Sequence, residues 1–162
     1  MASCGCVLPS PLPCPPCAQI SSVHREQASI TADNTPTTVL TTTLAVYKPS
    51  MLSATWTGYL IVTQGSFSTP FTLAATLSYT TAALPAVHVP ITLPPVLIHV
   101  LSPADRAIPF TVSGAVTADL GTVTVHLRVL NHVDDASLTM DMAGTLTVVS
   151  NRACCPPLGA LC

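Results

Sequence analysis

Thr122-Val123-Thr124-Val125-His126-Leu127-Arg128-Val129 alternates without interruption. Val123, Val125, Leu127 and Val129 fall on one side, while Thr122, Thr124, His126 and Arg128 fall on the other. That period of two is the mark of a half-buried β-strand. Leu138, Met140, Met142, Leu146 and Val148 repeat the pattern, with Gly144 expected at a bulge or bend. Phe71, Leu73, Ala75, Leu77 and Tyr79 repeat it again, opposite Thr72, Ala74, Thr76 and Ser78. Further strands are predicted over Val39 to Tyr47, Thr55 to Thr63, Val87 to Leu93, Val96 to Leu101 and Pro109 to Ala118. Asp119-Leu120-Gly121 reads as a tight hairpin connection, and Asn131 to Ala136 as a longer polar one.

No helical period is sustained anywhere. The one local helix signal, Ser102-Pro103-Ala104-Asp105-Arg106, is a capping residue followed by proline, enough for a single turn in a loop. Closely spaced short strands with turn signals between them predict an all-β fold, an antiparallel β-sandwich of jelly-roll type.

Composition divides the chain into three parts. Residues 1–23 hold four of the seven cysteines and five prolines, and read as an extended N-terminal connector. Residues 24–153 contain no cysteine and form the predicted sandwich domain. Residues 154–162 are a short tail with the other three cysteines.

Only 7% of the residues are charged, against about 25% in a typical soluble domain. A membrane helix is excluded by Pro85, Pro90, Pro94 and Pro95, which interrupt the most apolar window, Ala83 to Leu101. The first 23 residues lack Lys and Arg and any uninterrupted apolar stretch, so no classical signal peptide is expected. Asn34-Thr35-Pro36 does not make a glycosylation acceptor. Arg25, Lys48, Arg106, Arg128 and Arg152 are scattered and form no track for a phosphate backbone, so nucleic acid is not expected as a partner.

The outward strand positions are mostly Thr, Ser and Ala, where Lys, Glu, Arg and Asp usually stand. A Thr-rich solvated surface would look like this. So would a face that meets neighbouring copies, where buried charge would be costly.

Three uses compete for Cys4, Cys6, Cys14 and Cys17 at one end and Cys154, Cys155 and Cys162 at the other. Cys4-Gly5-Cys6 with Cys14-Pro15-Pro16-Cys17 offers four thiolates to zinc, but Pro15 and Pro16 supply no N–H groups to support a metal knuckle. A redox role for Cys14 and Cys17 would need a helix N-terminus, which the prolines oppose. Disulfide cross-linking between subunits is favoured, because an odd number of cysteines leaves at least one without an internal partner. Adjacent Cys154 and Cys155 are expected to reach different partners. An extended 23-residue tail spans about 70 Å, so it reaches well beyond its own domain. A bond from the N-terminal tail of one subunit to the C-terminal tail of another is the expected pairing.

Catalytic patterns are weak. His24, His88, His99, His126 and His132 are spread along the chain without a carboxylate at a telling offset. Asp134, Asp135 and Asp141 lack the alternating Asp and Gly of a calcium loop. There is neither a Gly-rich phosphate loop nor a nucleophile elbow, so no enzyme activity, cofactor or metal is expected.

The N-terminal run Met1-Ala2-Ser3-Cys4-Gly5-Cys6, with Cys14, Cys17 and the cysteine-bearing C-terminus, resembles the endospore appendage subunits of spore-forming bacteria, known as Ena proteins. The resemblance implies a jelly-roll domain whose N-terminal connector forms disulfides with subunits further along a fibre. It also implies synthesis in the mother cell and release by lysis, without a secretion signal. The expectation is therefore a structural subunit of a self-assembling, disulfide cross-linked filament at a bacterial extracellular or spore surface, with copies of itself as partners. A phage structural protein or a cell-surface binding module of jelly-roll type is the alternative. Zinc binding through the tail cysteines is another.

Overall fold

In the computed structural model the alternation resolves into two antiparallel sheets packed face to face. The structure describes residues 18–30, 35–46, 49–64, 71–101, 107–131 and 139–151. The strands are β1 (Ala18–Ile30), β2 (Thr37–Val46), β3 (Ser50–Gln64), β4 (Phe71–Thr81), β5 (Leu84–Pro90), β6 (Val96–Val100), β7 (Ala107–Ala118), β8 (Gly121–Asn131) and β9 (Thr139–Asn151). One sheet has the order β1-β9-β3-β7, and the other β2-β8-β4-β5, with β6 beside β5 on the same edge of β4. The chain changes sheet at every connection except those joining β4, β5 and β6. This is the strand order of a jelly roll, in agreement with the predicted sandwich. Among the described residues no helix is long and apolar enough to cross a membrane.

The inner faces explain the order. Leu52, Ala54, Trp56 and Leu60 on β3 meet Met140, Met142, Leu146 and Val148 on β9, and across the gap lie Leu73, Leu77, Val123, Val125, Leu127 and Val129. Each fully buried Leu or Val contributes about 2 kcal/mol relative to leaving it in water, so a slip of one residue in any of these strands would expose a whole row. Trp56 is the largest fully buried side chain, with its ring centroid 6.2 Å from that of Phe110 on β7. Its indole fits because Gly58 and Gly144 stand opposite one another on β3 and β9. A Cβ on Gly58 would lie 2.6 Å from Trp56 Cζ2, and one on Gly144 would lie 2.7 Å from the same atom.

Three expectations are corrected. Gly144 continues the regular register with β3, and the bulge lies across from it on β1, between Arg25 and Ala28. Gly144 is glycine to make room for an indole, not to bend a strand.

Asp119-Leu120-Gly121 is not a hairpin, because β7 and β8 belong to different sheets. The chain crosses the sandwich there, and Gly121 takes a φ of 138°, which a side chain would resist.

The third correction is β1 itself, which begins at Ala18, so residues 18–23 pair with β9 instead of belonging to the connector. The inward side of β1 carries few apolar residues, which leaves no alternation to read. Polar ties across the sandwich edge replace them. Ser21 Oγ and Thr42 Oγ1 are hydrogen-bonded at 2.7 Å, and Arg25 Nη1 donates to the Val39 carbonyl at 2.9 Å.

Candidate functional site

The outer face of the β1-β9-β3-β7 sheet is the first candidate. Registers place its residues in rows across the four strands: Ser22–Thr147–Thr55–Ser113, and next to it His24–Thr145–Thr57–Thr111. Beyond these lie Ile20–Val149–Ser53–Ala115 and Ala18–Asn151–Met51–Thr117 on one side, and Ala143–Tyr59–Pro109 on the other. From the His24 row to the Met51 row there is no Asp, Glu, Lys or Arg among the described residues. Ile20 is 70% exposed, Tyr59 53% and Met51 52%. Hydroxyls bond along the rows: Ser22 Oγ with Thr147 Oγ1 at 3.3 Å, and His24 Nδ1 with Thr145 Oγ1 at 2.9 Å. A shallow groove of about 440 Å³ runs over Gly58 and Gly144, walled by His24, Tyr59, Pro109 and Thr145.

A second apolar feature sits at one end of the sandwich. The β4–β5 turn and the β7–β8 crossing meet there, joined by a bond from the Ala82 N–H to the Thr122 carbonyl at 3.2 Å. Tyr79, Leu84, Val87, Val89 and Leu120 line a hollow of about 480 Å³, and Leu84, Val87 and Leu120 are exposed.

The outer face of the other sheet is different in kind. His126 and Arg128 project from β8, with Ser78 and Thr76 opposite them on β4. His88 on β5 reaches over β4, and its ring lies edge-on to His126 with centroids 4.8 Å apart. His88 Nδ1 is hydrogen-bonded to Ser78 Oγ at 3.2 Å, and His126 Nε2 to Thr80 Oγ1 at 3.0 Å. Burial and then the Arg128 charge hold His88 below the ordinary imidazole value. Burial, His88 and Arg128, in that order, do the same to His126. Among the described residues Arg128 Nε is buried without a hydrogen-bond partner.

The site residues expected from sequence, Cys4, Cys6, Cys14, Cys17, Cys154, Cys155 and Cys162, lie outside the described residues, as do His132, Asp134 and Asp135. Among the described residues no three His, Cys, Asp or Glu side chains gather into a metal site. Sequence reasoning missed the pairing of His88 with His126. The alternation puts His126 on the outer face, but only the register of β5 and β8 against β4 brings the two together.

No model of a known protein family matches this chain, and no curated protein matches it. Solved structures do match in fold. They include the VP2 protein of infectious bursal disease virus. In its derived T=1 particles, VP2 superposes with a TM-score of 0.54 at 13% identity, over 83% of this chain and 32% of that one. A point mutant of VP2, also in T=1 particles, gives 0.51 at 13% identity with the same coverage. The Gx strain gives 0.51 at 12% identity, again over 83% of this chain and 32% of the viral one. This chain thus spans about a third of the length of the viral proteins it matches. At such identity the likeness establishes the sandwich fold.

Proposed function

We propose that this chain is a structural building block of jelly-roll type that assembles with copies of itself, in the manner of a virus-like or phage particle subunit. The outer face of the β1-β9-β3-β7 sheet, uncharged among the described residues from the His24 row to the Met51 row, carries this reading. A face of four strands that offers hydroxyls, small groups and exposed Ile20, Met51 and Tyr59, with no fixed charge to desolvate in its described rows from His24 to Met51, is suited to burial against another protein surface. The viral neighbours support it, since the structures they describe are particles built from VP2. The reading assigns the chain no catalytic role.

A second reading rests on the cysteines. Their confinement to residues 4–17 and 154–162 supports a filament, at an extracellular or spore surface, in which tails of neighbouring subunits are joined by disulfides. Negative-stain electron microscopy and light scattering of purified protein, with and without reductant, test both. Regular particles or fibres that persist under reductant are expected for assembly through the sheet face. Fibres that fall to monomers on reduction would favour the disulfide-joined filament. Monomers under both conditions would exclude each.

A further inference from the structure

We infer that the outer face of the β2-β8-β4-β5 sheet holds an oxyanion site, where Arg128, His88 and His126 bind a carboxylate or a tetrahedral anion such as sulfate. The inference stands independently of whether copies associate. Arg128 is the one fixed charge on this face among the described residues. Its neighbours there are hydroxyls: Thr38 and Thr41 from β2, and Thr76, Ser78 and Thr80 from β4. His88 comes from β5, and His99 lies further along on β6, bonded to Thr72. Among the described residues the Arg128 Nε–H has no acceptor, and leaving a charged donor buried without one is costly.

The cluster suits an anion and not a metal cation. A guanidinium beside the two imidazoles repels a cation, and it is a planar fork shaped for paired oxygens. Each imidazole already has one nitrogen committed to a hydroxyl, Nδ1 of His88 to Ser78 and Nε2 of His126 to Thr80. On protonation, those hydroxyls accept and the remaining nitrogens, Nε2 of His88 and Nδ1 of His126, become donors as well. Three donors would then converge from β5 and β8. In the free protein both rings resist protonation. A bound anion offsets the Arg128 charge that opposes it, so binding takes up protons and strengthens as pH falls.

The test is calorimetric titration of the full-length protein with sodium sulfate at about pH 6 and about pH 8, the window in which imidazoles change charge. Repeating it in two buffers of different ionisation heat counts the protons taken up. Saturable binding at the lower pH is expected, with proton uptake, weakened about ten-fold or more at the higher pH. Arg128→Gln is expected to weaken it about ten-fold while far-UV circular dichroism stays native, and Arg128→Lys to retain part of the affinity. A parallel titration with sodium acetate identifies the source: competition with sulfate admits carboxylates, and its absence restricts the site to tetrahedral anions. If Arg128→Gln does not fold, His88→Gln combined with His126→Gln decides by removing the proton uptake. Lack of saturable sulfate binding at either pH overturns the inference. Binding that Arg128→Gln leaves unchanged, or proton uptake that survives in the double variant, does so too.

Discussion

The two outer faces of the sandwich draw on the same residue types, Thr, Ser and His, and yet differ in what surrounds those residues. On the β1-β9-β3-β7 sheet the hydroxyl rows lie open, with Thr55, Thr57 and Thr111 exposed and, among the described residues, no fixed charge from the His24 row to the Met51 row. On the other sheet the central strand β4 is covered on its outer side near the β5 turn, so that outward Ser78 and Thr80 are only 5% and 6% exposed. His88, His126 and Arg128 crowd over them. The comparison teaches that outward position in a strand does not fix environment. An edge segment folding back beside a strand turns a solvated face into a half-enclosed polar cluster, while a face left bare keeps its availability for another molecule.

The largest effect is expected from charging the bare face. Thr55→Glu combined with Thr111→Glu would place two like charges on described rows that carry none, at positions whose side chains are exposed. If copies associate through this face, assembly should weaken about a hundred-fold or more, because desolvating unpaired charges costs several kcal/mol. Thr43→Glu, on the opposite outer face, is the matching control and should leave assembly unchanged. Light scattering against concentration measures both. Equal loss in the control, or none in the double variant, would remove the distinction between the faces.

Next in size is a change beneath the groove of the bare face. Gly144→Val would put a Cβ 2.6 Å from Gly58 Cα and 2.7 Å from Trp56 Cζ2, and backbone cannot give way as a flexible side chain would. A loss of about 3 kcal/mol is expected, from overpacking beside the largest core side chain. Gly121→Ala meets nothing within 4 Å, but its φ of 138° disfavours any side chain, so about 1 kcal/mol is expected there. Urea unfolding monitored by Trp56 fluorescence compares them. The reverse order of effects would mean that the indole does not depend on the glycine pair.

Much of the sandwich was legible in the sequence because most strands bury one full row of apolar side chains. β8 could be read residue by residue, since Val123, Val125, Leu127 and Val129 all reach the core and nothing interrupts their alternation. β1 could not. Its ties to β2 are the Ser21–Thr42 and Arg25–Val39 bonds, and hydrogen bonds leave no periodic trace in composition. The bare face was foreshadowed by its Thr and Ser content, since a strand's outward side is a local property. The histidine cluster was not, because it depends on which strands neighbour β4. That information lies in long-range register.

The smallest predicted effect separates the faces by pH. His88 and His126 have folded-state values below the ordinary imidazole value, and the unfolded chain keeps about 6.5. Below that pH the unfolded state binds more protons at these two rings than the folded state does, so stability falls as pH falls. Well above it both states are neutral there, and the rings contribute no slope. The melting temperature should therefore be level above about pH 7.5 and decline between about pH 6.5 and 5.5, before most carboxylates begin to titrate. His88→Gln with His126→Gln should flatten that decline. Sulfate should flatten it as well in the unaltered protein, because an anion held by Arg128 and the two rings favours their charged forms. A decline that persists undiminished in the double variant would locate the titrating groups elsewhere. A melting temperature that rises towards pH 5.5 would show that the rings gain protons on folding, and the reading of this face as a cluster that resists charge until an anion arrives would fail.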